Sequence, residues 1–298
     1  MTKSNENATS GNDPFVATCA STPDAEALSQ KVFRRRQQHL RRERRTFLAI
    51  RVLSLIVVFV GWQIYGSHTI AILFAPLTTV IHQGYILFAR YNLGSELLYS
   101  IKTFAYGYFL GLVIGIFLGM LTGAYRAAEA AISMYIFALY ATPMVALVPI
   151  ISLWVGYSFT AQVVIVTLFV VWPVTVIVFH GVRQIDSDLM EVSRSLRLNR
   201  RQTWLHVLLP GAVPFIITGA TQGVAMGMVG VIIAEVQTEL TGIGEALQTE
   251  SSTYHTAGAL AVILLIMALG LTLRGILSFV QHRVVPWQRI DRGNGRRN

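Results

Sequence analysis

The sequence contains a single cysteine, Cys19. One thiol builds neither a disulfide framework nor a cysteine-based metal site. Lysine is almost missing: Lys3, Lys31 and Lys102 are the only ones. A phosphate-cradling P-loop needs a lysine in a Gly-Lys-Ser/Thr setting, and none of these occupies one. The chain is therefore not expected to hydrolyse ATP, or to hold a cofactor of its own. The histidines are scattered with no i, i+4 pair, so no metal site is expected. There is also no His/Asp/Glu cluster of the kind a membrane enzyme needs. Charge is scarce overall, at 13% of 298 residues, against about 25% in a soluble domain.

What is abundant is apolar: 53% of the chain is hydrophobic. The charges crowd into the first 46 residues, the region 183–201 and the tail, leaving long uncharged runs between. That is the signature of a chain whose solvent is a bilayer. A first span is predicted at about Phe47–Tyr65, with Arg51 near enough to the edge to snorkel. Thr103–Tyr125 is long enough to cross. The uncharged stretch from Ala130 to Phe179 is too long for one crossing. Gly156-Tyr157-Ser158 supplies a turn, giving spans near 132–154 and 160–180. Gly211–Ala234 and Ala257 to about Val280 complete an all-α, polytopic chain of about six transmembrane helices, with Arg274 near the end of the last. Residues 66–98 read as an amphipathic helix outside the membrane or as a further, shorter span.

Orientation follows the basic residues. With the N-terminus in the cytoplasm, the Arg-rich segments 1–46, 181–210 and 281–298 and Arg126 all lie inside. Arg90 is then the basic residue of the outside segments 66–98, 155–160 and 236–256. Both termini are expected in the cytoplasm of a bacterial inner membrane. Residues 1–30 are polar and expected to be disordered, and 31–46 form a basic surface segment. This start has no short apolar core with a cleavage site, so the first apolar run is expected to remain as an anchor. The net charge of +9 flanks apolar spans, which points to lipid headgroups rather than nucleic acid.

Small residues are patterned. Gly107, Gly111, Gly115, Gly119 and Gly123 form one stripe along a helix, a close-approach surface for a second helix, used either for plain packing or as a sliding interface. Gly219, Gly223 and Gly227 repeat the device. Pro143 and Pro149 are expected to break the third span, and Pro173 the fourth. Such breaks survive in lipid where protein or a watery cavity covers them, so the third span is a candidate pore liner. The candidate translocation residues are Thr142, Pro143, Thr218, Gln222 and Glu235. Gln222 either lines a pore or bonds a neighbouring helix. Glu235 is either a gate or an interfacial charge. The acidic outer loop 236–256, with Glu239, Glu245 and Glu250, either meets a binding protein or is simply solvated.

The connection 181–210 is the most informative stretch. Asp188 can cap a helix with Glu191 as its capping-box partner, and Leu189, Val192 and Leu196 then share one face. Asn199 is a plausible break. A second short helix follows through Trp204, Val207 and Leu208, which Pro210 is expected to stop. The result is a knob that either docks on a partner or rests on headgroups. In sequence it resembles the cytoplasmic signature of binding-protein-dependent ABC importer permeases: Glu-Ala-Ala, three residues, Gly, nine residues, Ile, one residue, Leu-Pro. Glu191 stands at the Glu, Val192 and Ser193 at the two Ala, Val207 at the Ile, and Leu209 and Pro210 at the Leu-Pro. Arg197 departs from the pattern at the Gly. A non-Gly residue resists a left-handed turn, so the turn is expected to shift towards Asn199.

The likeness runs from about Leu97 to Val280. Gly230-Val231-Ile232-Ile233-Ala234-Glu235 and Thr241-Gly242-Ile243-Gly244 are similar to the nitrate/sulfonate/taurine group of these permeases. The resemblance implies a division into a basic tail (1–46), a first helix with an outer segment (47–93), an ABC type I importer transmembrane domain (94–280) with coupling helices at 188–208, and a basic tail (281–298). It implies a separate ABC ATPase subunit using ATP and magnesium, and docking on it through Asp188, Leu189, Glu191, Val192, Ser193, Leu196, Arg197, Leu209 and Pro210. It also implies a periplasmic or lipid-anchored solute-binding protein, and pairing of two permease copies as a homodimer. The contrasting reading is a secondary transporter or channel acting without an ATPase; it would show internal repeats or several intramembrane charges.

Overall fold

The computed structural model describes residues 23–70, 72–90, 92–185, 191, 193 and 195–284. It divides into two compact units, residues 1–64 and 65–298. The first is dominated by helix α1, Pro23–His68, whose apolar window begins at Thr46. Proline at the first helical position loses no hydrogen bond, because that N–H has no intrahelical partner anyway.

In the second unit α2 (Leu77–Arg90) is short and amphipathic, burying Val80 and Leu87. It is followed by α3 (Leu93–Ala124). The break between them is Asn92, left-handed at φ 53°, a conformation Asn tolerates better than most residues. Next come α4 (Arg126–Ala141) and α5 (Met144–Val155), then α6 (Phe159–Arg183). After the 184–199 connection come the short α7 (Arg200–Thr203), a π-turn (Trp204–Leu208) and α8 (Leu209–Thr238). Helices α9 (Ile243–Ser252) and α10 (Thr256–Val284) complete the chain. Among the described residues, five helices are long and apolar enough to cross a membrane, or six if α4 and α5 count as one span.

That pair occupies the expected third span, which is broken at Pro143 as the sequence suggests. It is bent by 99° at Thr142-Pro143. Thr142 is extended (φ −69°, ψ 132°), as a residue before proline prefers, and its hydroxyl donates to the Ala138 carbonyl (2.9 Å). With 16 and 12 residues, the two helices are about 24 and 18 Å long, each short of the ~30 Å hydrocarbon core. Pro149 and Pro173, by contrast, break nothing: both lie inside continuous helices. A mid-helix proline removes one hydrogen bond, which a helix held by its neighbours tolerates. The turn at Gly156 forms as the sequence suggests, at φ 84°, and Ser158 caps α6 by accepting from the Ala161 N–H.

The core is α6. Buried residues make up 56% of its apolar window, against 11% for α10. One side of α6 meets the glycine stripe of α3. Gly107, Gly111, Gly115, Gly119 and Gly123 face Val166, Val170, Val174, Val178 and Val182 in strict succession, and a Cβ at any of the five would lie 2.5–2.9 Å from the facing valine Cβ. Those distances are inside van der Waals contact, so the stripe does its work by letting backbones approach. The other side of α6 meets α8, where Gly223 and Gly227 leave room for Val170, Val174 and Phe104.

Candidate functional site

Three groups of side chains define the chemistry of the fold: one at the arginine-rich end of the spans, one at the glutamate-rich end, and one between.

At the arginine-rich end, Glu191, Ser193 and Ser195 are helical and a turn follows at Leu196-Arg197. Arg197 itself adopts the left-handed conformation, at φ 51°. The expected shift to Asn199 does not occur. Asn199 is needed elsewhere: its Oδ1 accepts from the Gln202 N–H (2.9 Å) while Gln202 Oε1 accepts from the Asn199 N–H (3.0 Å). This reciprocal capping box fixes the start of α7, so the left-handed turn must fall upstream. Leu196 is 67% exposed and Glu191 is exposed, whereas Ser193 is buried. Asp188, Leu189 and Val192 lie outside the described residues.

Pro210 does not stop the second helix. The backbone runs from α7 through the π-turn into α8 without a break, and the Leu209 N–H donates to Trp204 O, five residues back. Proline carries no N–H and its ring crowds the carbonyl four residues before it. Widening the preceding turn to π spacing accommodates both, and such single π-turns often mark functional positions. Leu209 and Pro210 are exposed. Trp204, at the start of the turn, donates from Nε1 to Tyr125 Oη (2.8 Å) and stacks on its ring at 6.0 Å. Arg183 pairs with Glu129. The ends of α3, α4, α6 and the π-turn are thereby tied to one another. Between them lies a cavity of about 220 Å³, lined by Arg126, Glu129, Arg183, Ile185 and Leu208 among others.

At the glutamate-rich end, Glu235 is fully buried. Its Oε2 accepts from Ser100 Oγ and from the Gly244 N–H, both at 2.9 Å. Ser100 Oγ accepts in turn from the Ile243 N–H (2.9 Å), and Glu96 accepts from the Gly242 N–H. Three successive amides at the start of α9 are thus satisfied by side chains from α3 and α8. A helix leaves its first N–H groups without partners, and its N-terminus favours negative charge. Gly242 sits at φ 147°, and a Cβ there would lie 2.2 Å from Glu235 Cδ. The Gly-Ile-Gly sequence is what lets the carboxylate reach the backbone. Nearby, Gln162 Nε2 donates to Thr238 Oγ1 (2.9 Å). Sequence reading noticed Glu235 and Gly242-Ile243-Gly244 but missed Ser100 and Glu96, which stand far away in the chain.

Between the ends, the structure does not gather the other candidate translocation residues into one constellation. Thr142 and Pro143 form the α4–α5 bend. Thr218 is exposed one turn before Gln222 on α8, with its hydroxyl donating to Pro214 O (2.9 Å). Gln222 is exposed on α8 and lines a cleft of about 390 Å³ between α8 and α10, together with Arg274.

Helices of this number and length, a pair bent at a proline, and a helical connection at the charged end describe a polytopic membrane protein. The sequence pattern of the binding-protein-dependent transport system inner membrane component family matches residues 111–286, and the chain belongs to that family, the multi-pass inner-membrane subunits of ABC importers. It is 25% identical over 235 residues, 78% of this chain and 85% of the relative, to the aliphatic sulfonates transport permease protein SsuC of Bacillus subtilis (strain 168). It is 26% identical over 243 residues, 78% of this chain and 88% of the relative, to the nitrate import permease protein NrtB of Synechocystis sp. (strain ATCC 27184 / PCC 6803 / Kazusa). Its fold is similar to a crystal structure of an amino acid ABC transporter with histidines, with a TM-score of 0.54 at 19% identity, covering 64% of this chain and 94% of that one.

Proposed function

We propose that two copies of this chain line the path of a small anionic solute across the bacterial inner membrane, and that residues 188–208 couple that path to a separate ATPase subunit. What carries this reading is the helix that runs without a break from Arg200 through the π-turn into α8, directly after the turn that exposes Leu196. Force applied to the knob is delivered directly to a span that carries Gln222. Coupling needs an element that nucleotide and solute bias differently, and a helix rigidly continuous with a span serves. ATP and magnesium are handled by the partner, which docks on the exposed Glu191, Leu196 and Arg197, with Ser193 buried and outside the contact. Asp188, Leu189 and Val192 are assigned to the same contact from the sequence, and Leu209 and Pro210 set the angle at which the knob joins the span.

The solute class is taken from the relatives, whose names specify aliphatic sulfonates and nitrate. A periplasmic or lipid-anchored solute receptor meets the acidic surface carrying Glu239, Glu245 and Glu250. Both termini lie in the cytoplasm, as the distribution of arginine requires. The test is Glu191→Ala in the full chain co-expressed with its ATPase. Membrane insertion should be unchanged, while ATPase recovered with the tagged permease and ATP-driven uptake should both fall several-fold. Wild-type recovery together with wild-type uptake would remove Glu191 from the contact.

A further inference from the structure

Buried polar side chains almost always find a partner, and each that does not calls for a reason. Among the described residues four buried side-chain oxygens have none: Thr103 Oγ1, Ser152 Oγ, Gln162 Oε1 and Glu235 Oε1. All four residues are 0% exposed. They belong to four helices, yet they share one layer. Ser152, Gln162 and Glu235 lie within a turn of the glutamate-rich ends of α5, α6 and α8. Thr103 joins them through the glycine register. Gly107 meets Val166 and Gly111 meets Val170, so one step back along both helices sets Thr103 against Gln162. Gln162 bonds to Thr238, one turn from Glu235 on α8. Ser152 follows Ile151, which packs with Ile165 and Ala234.

The two hydroxyls can turn onto a carbonyl of their own helix. The other two oxygens have no such recourse, because an amide oxygen and a carboxylate oxygen only accept. The orientation of the Gln162 amide is fixed by its partner. Thr238 gives its own proton to Ala234 O (2.8 Å) and so accepts from Gln162 Nε2, which turns Gln162 Oε1 away from it. Glu235 Oε2 is satisfied by Ser100 and Gly244, but no basic side chain pairs with the carboxylate among the described residues. Lys102, at the same end of α3, is exposed and stands over the Phe159 ring at 5.1 Å. A buried carboxylate is costly until a positive charge compensates it. The donors are all oxygens, a set that selects hard cations over transition metals. One carboxylate falls short of the charge that calcium sites supply. A monovalent cation balances it, and the close approach of α3 and α6 beside the layer favours sodium over the larger potassium.

We propose that Thr103, Ser152, Gln162 and Glu235 hold a sodium ion that ties the glutamate-rich ends of α3, α5, α6 and α8 together. The inference does not depend on which solute is carried.

The test uses the full-length chain in phosphatidylcholine nanodiscs, prepared without sodium and kept at constant ionic strength with choline chloride. Replacing choline by sodium should raise the thermal-unfolding midpoint of wild type saturably, and potassium should need about tenfold more for the same rise. Radioactive sodium should bind saturably and be displaced by unlabelled sodium but not by choline. Glu235→Gln keeps an acceptor for Ser100 and Gly244 while removing the charge, and it should lose the sodium response. Gln162→Leu should weaken sodium about tenfold, and Thr103→Val and Ser152→Ala less. No saturable sodium binding by wild type at neutral or alkaline pH would overturn the proposal, since the layer would then hold a water or a proton. A midpoint that rises equally with every salt, or undiminished binding by Glu235→Gln, would overturn it too. Should Glu235→Gln and Gln162→Leu fail to fold, the milder variants decide. Saturable wild-type binding that weakens in Thr103→Val or Ser152→Ala supports the site, and binding unchanged in both removes it.

Discussion

At the scale of single residues, the fold makes opposite demands on its glycines. At Gly111 an added Cβ would come within 2.7 Å of Val170 Cβ, whereas at Gly270 it would meet nothing. Gly111→Ala should therefore lower stability by about 1–3 kcal/mol through overpacking. Gly270→Ala should be neutral or slightly stabilising, since alanine favours helix. Thermal unfolding of both variants in one detergent checks the contrast. Arg197 offers the converse case. A non-glycine residue held left-handed costs about 1–2 kcal/mol, so Arg197→Gly should raise stability by about 1 kcal/mol. Because the arginine is assigned to the partner contact, the same change should weaken ATPase recovery. Glu235 can be tested by shape: Glu235→Gln keeps an acceptor for Ser100 and Gly244, while Glu235→Leu leaves both without one. The leucine variant should be the less stable by about 1–3 kcal/mol, with faster amide exchange at the start of α9 as the local readout.

At the scale of elements, what could be read from the sequence depended on contrast. A glycine every fourth residue stands out in an apolar run, so the stripe on α3 was legible. Its partners Val166, Val170, Val174, Val178 and Val182 follow the same period, yet valine among isoleucine, leucine and phenylalanine has no contrast and went unnoticed. Proline was legible only as a possibility. Pro143 follows a residue already extended and bends the chain by 99°, while Pro149 and Pro173 sit inside uninterrupted helices. Pro210 was read as a stop because its lost hydrogen bond is certain; that a π-turn would absorb it depends on backbone spacing no residue pattern announces. The Asn199–Gln202 capping box was half seen, as a break without its partner. The Trp204–Tyr125 contact could not be seen, since the two residues lie 79 positions apart. Removing its hydrogen bond with Tyr125→Phe should cost about 0.5–1.5 kcal/mol. A cycle with Trp204→Phe should show the two changes to be non-additive.

At the scale of the whole molecule, the all-helical, polytopic class and the family were legible because both are written in long-range composition and one local signature. The capped start of α9 was not, because it joins residues from three separate helices. Orientation is a whole-molecule property with a direct test already present in the chain. Cys19 is the sole cysteine, so a membrane-impermeant maleimide should leave the protein unlabelled in intact cells and label it once the inner membrane is opened. Labelling from outside would reverse the assignment of every connection, including the proposed ATPase contact.

The meshing of α3 with α6 has a mechanical corollary. Each valine of α6 is seated where a glycine leaves a gap, and the gaps recur every four residues, or about 6 Å along a helix rising 1.5 Å per residue. Intermediate placements would set valine against side chains that fill their space, and close-packed interiors do not deform continuously. If the two helices ever shift along each other, they do so as a ratchet, one whole notch at a time. Distances between probes on them should be the same in every nucleotide state or differ by a single step of about 6 Å, with nothing populated between.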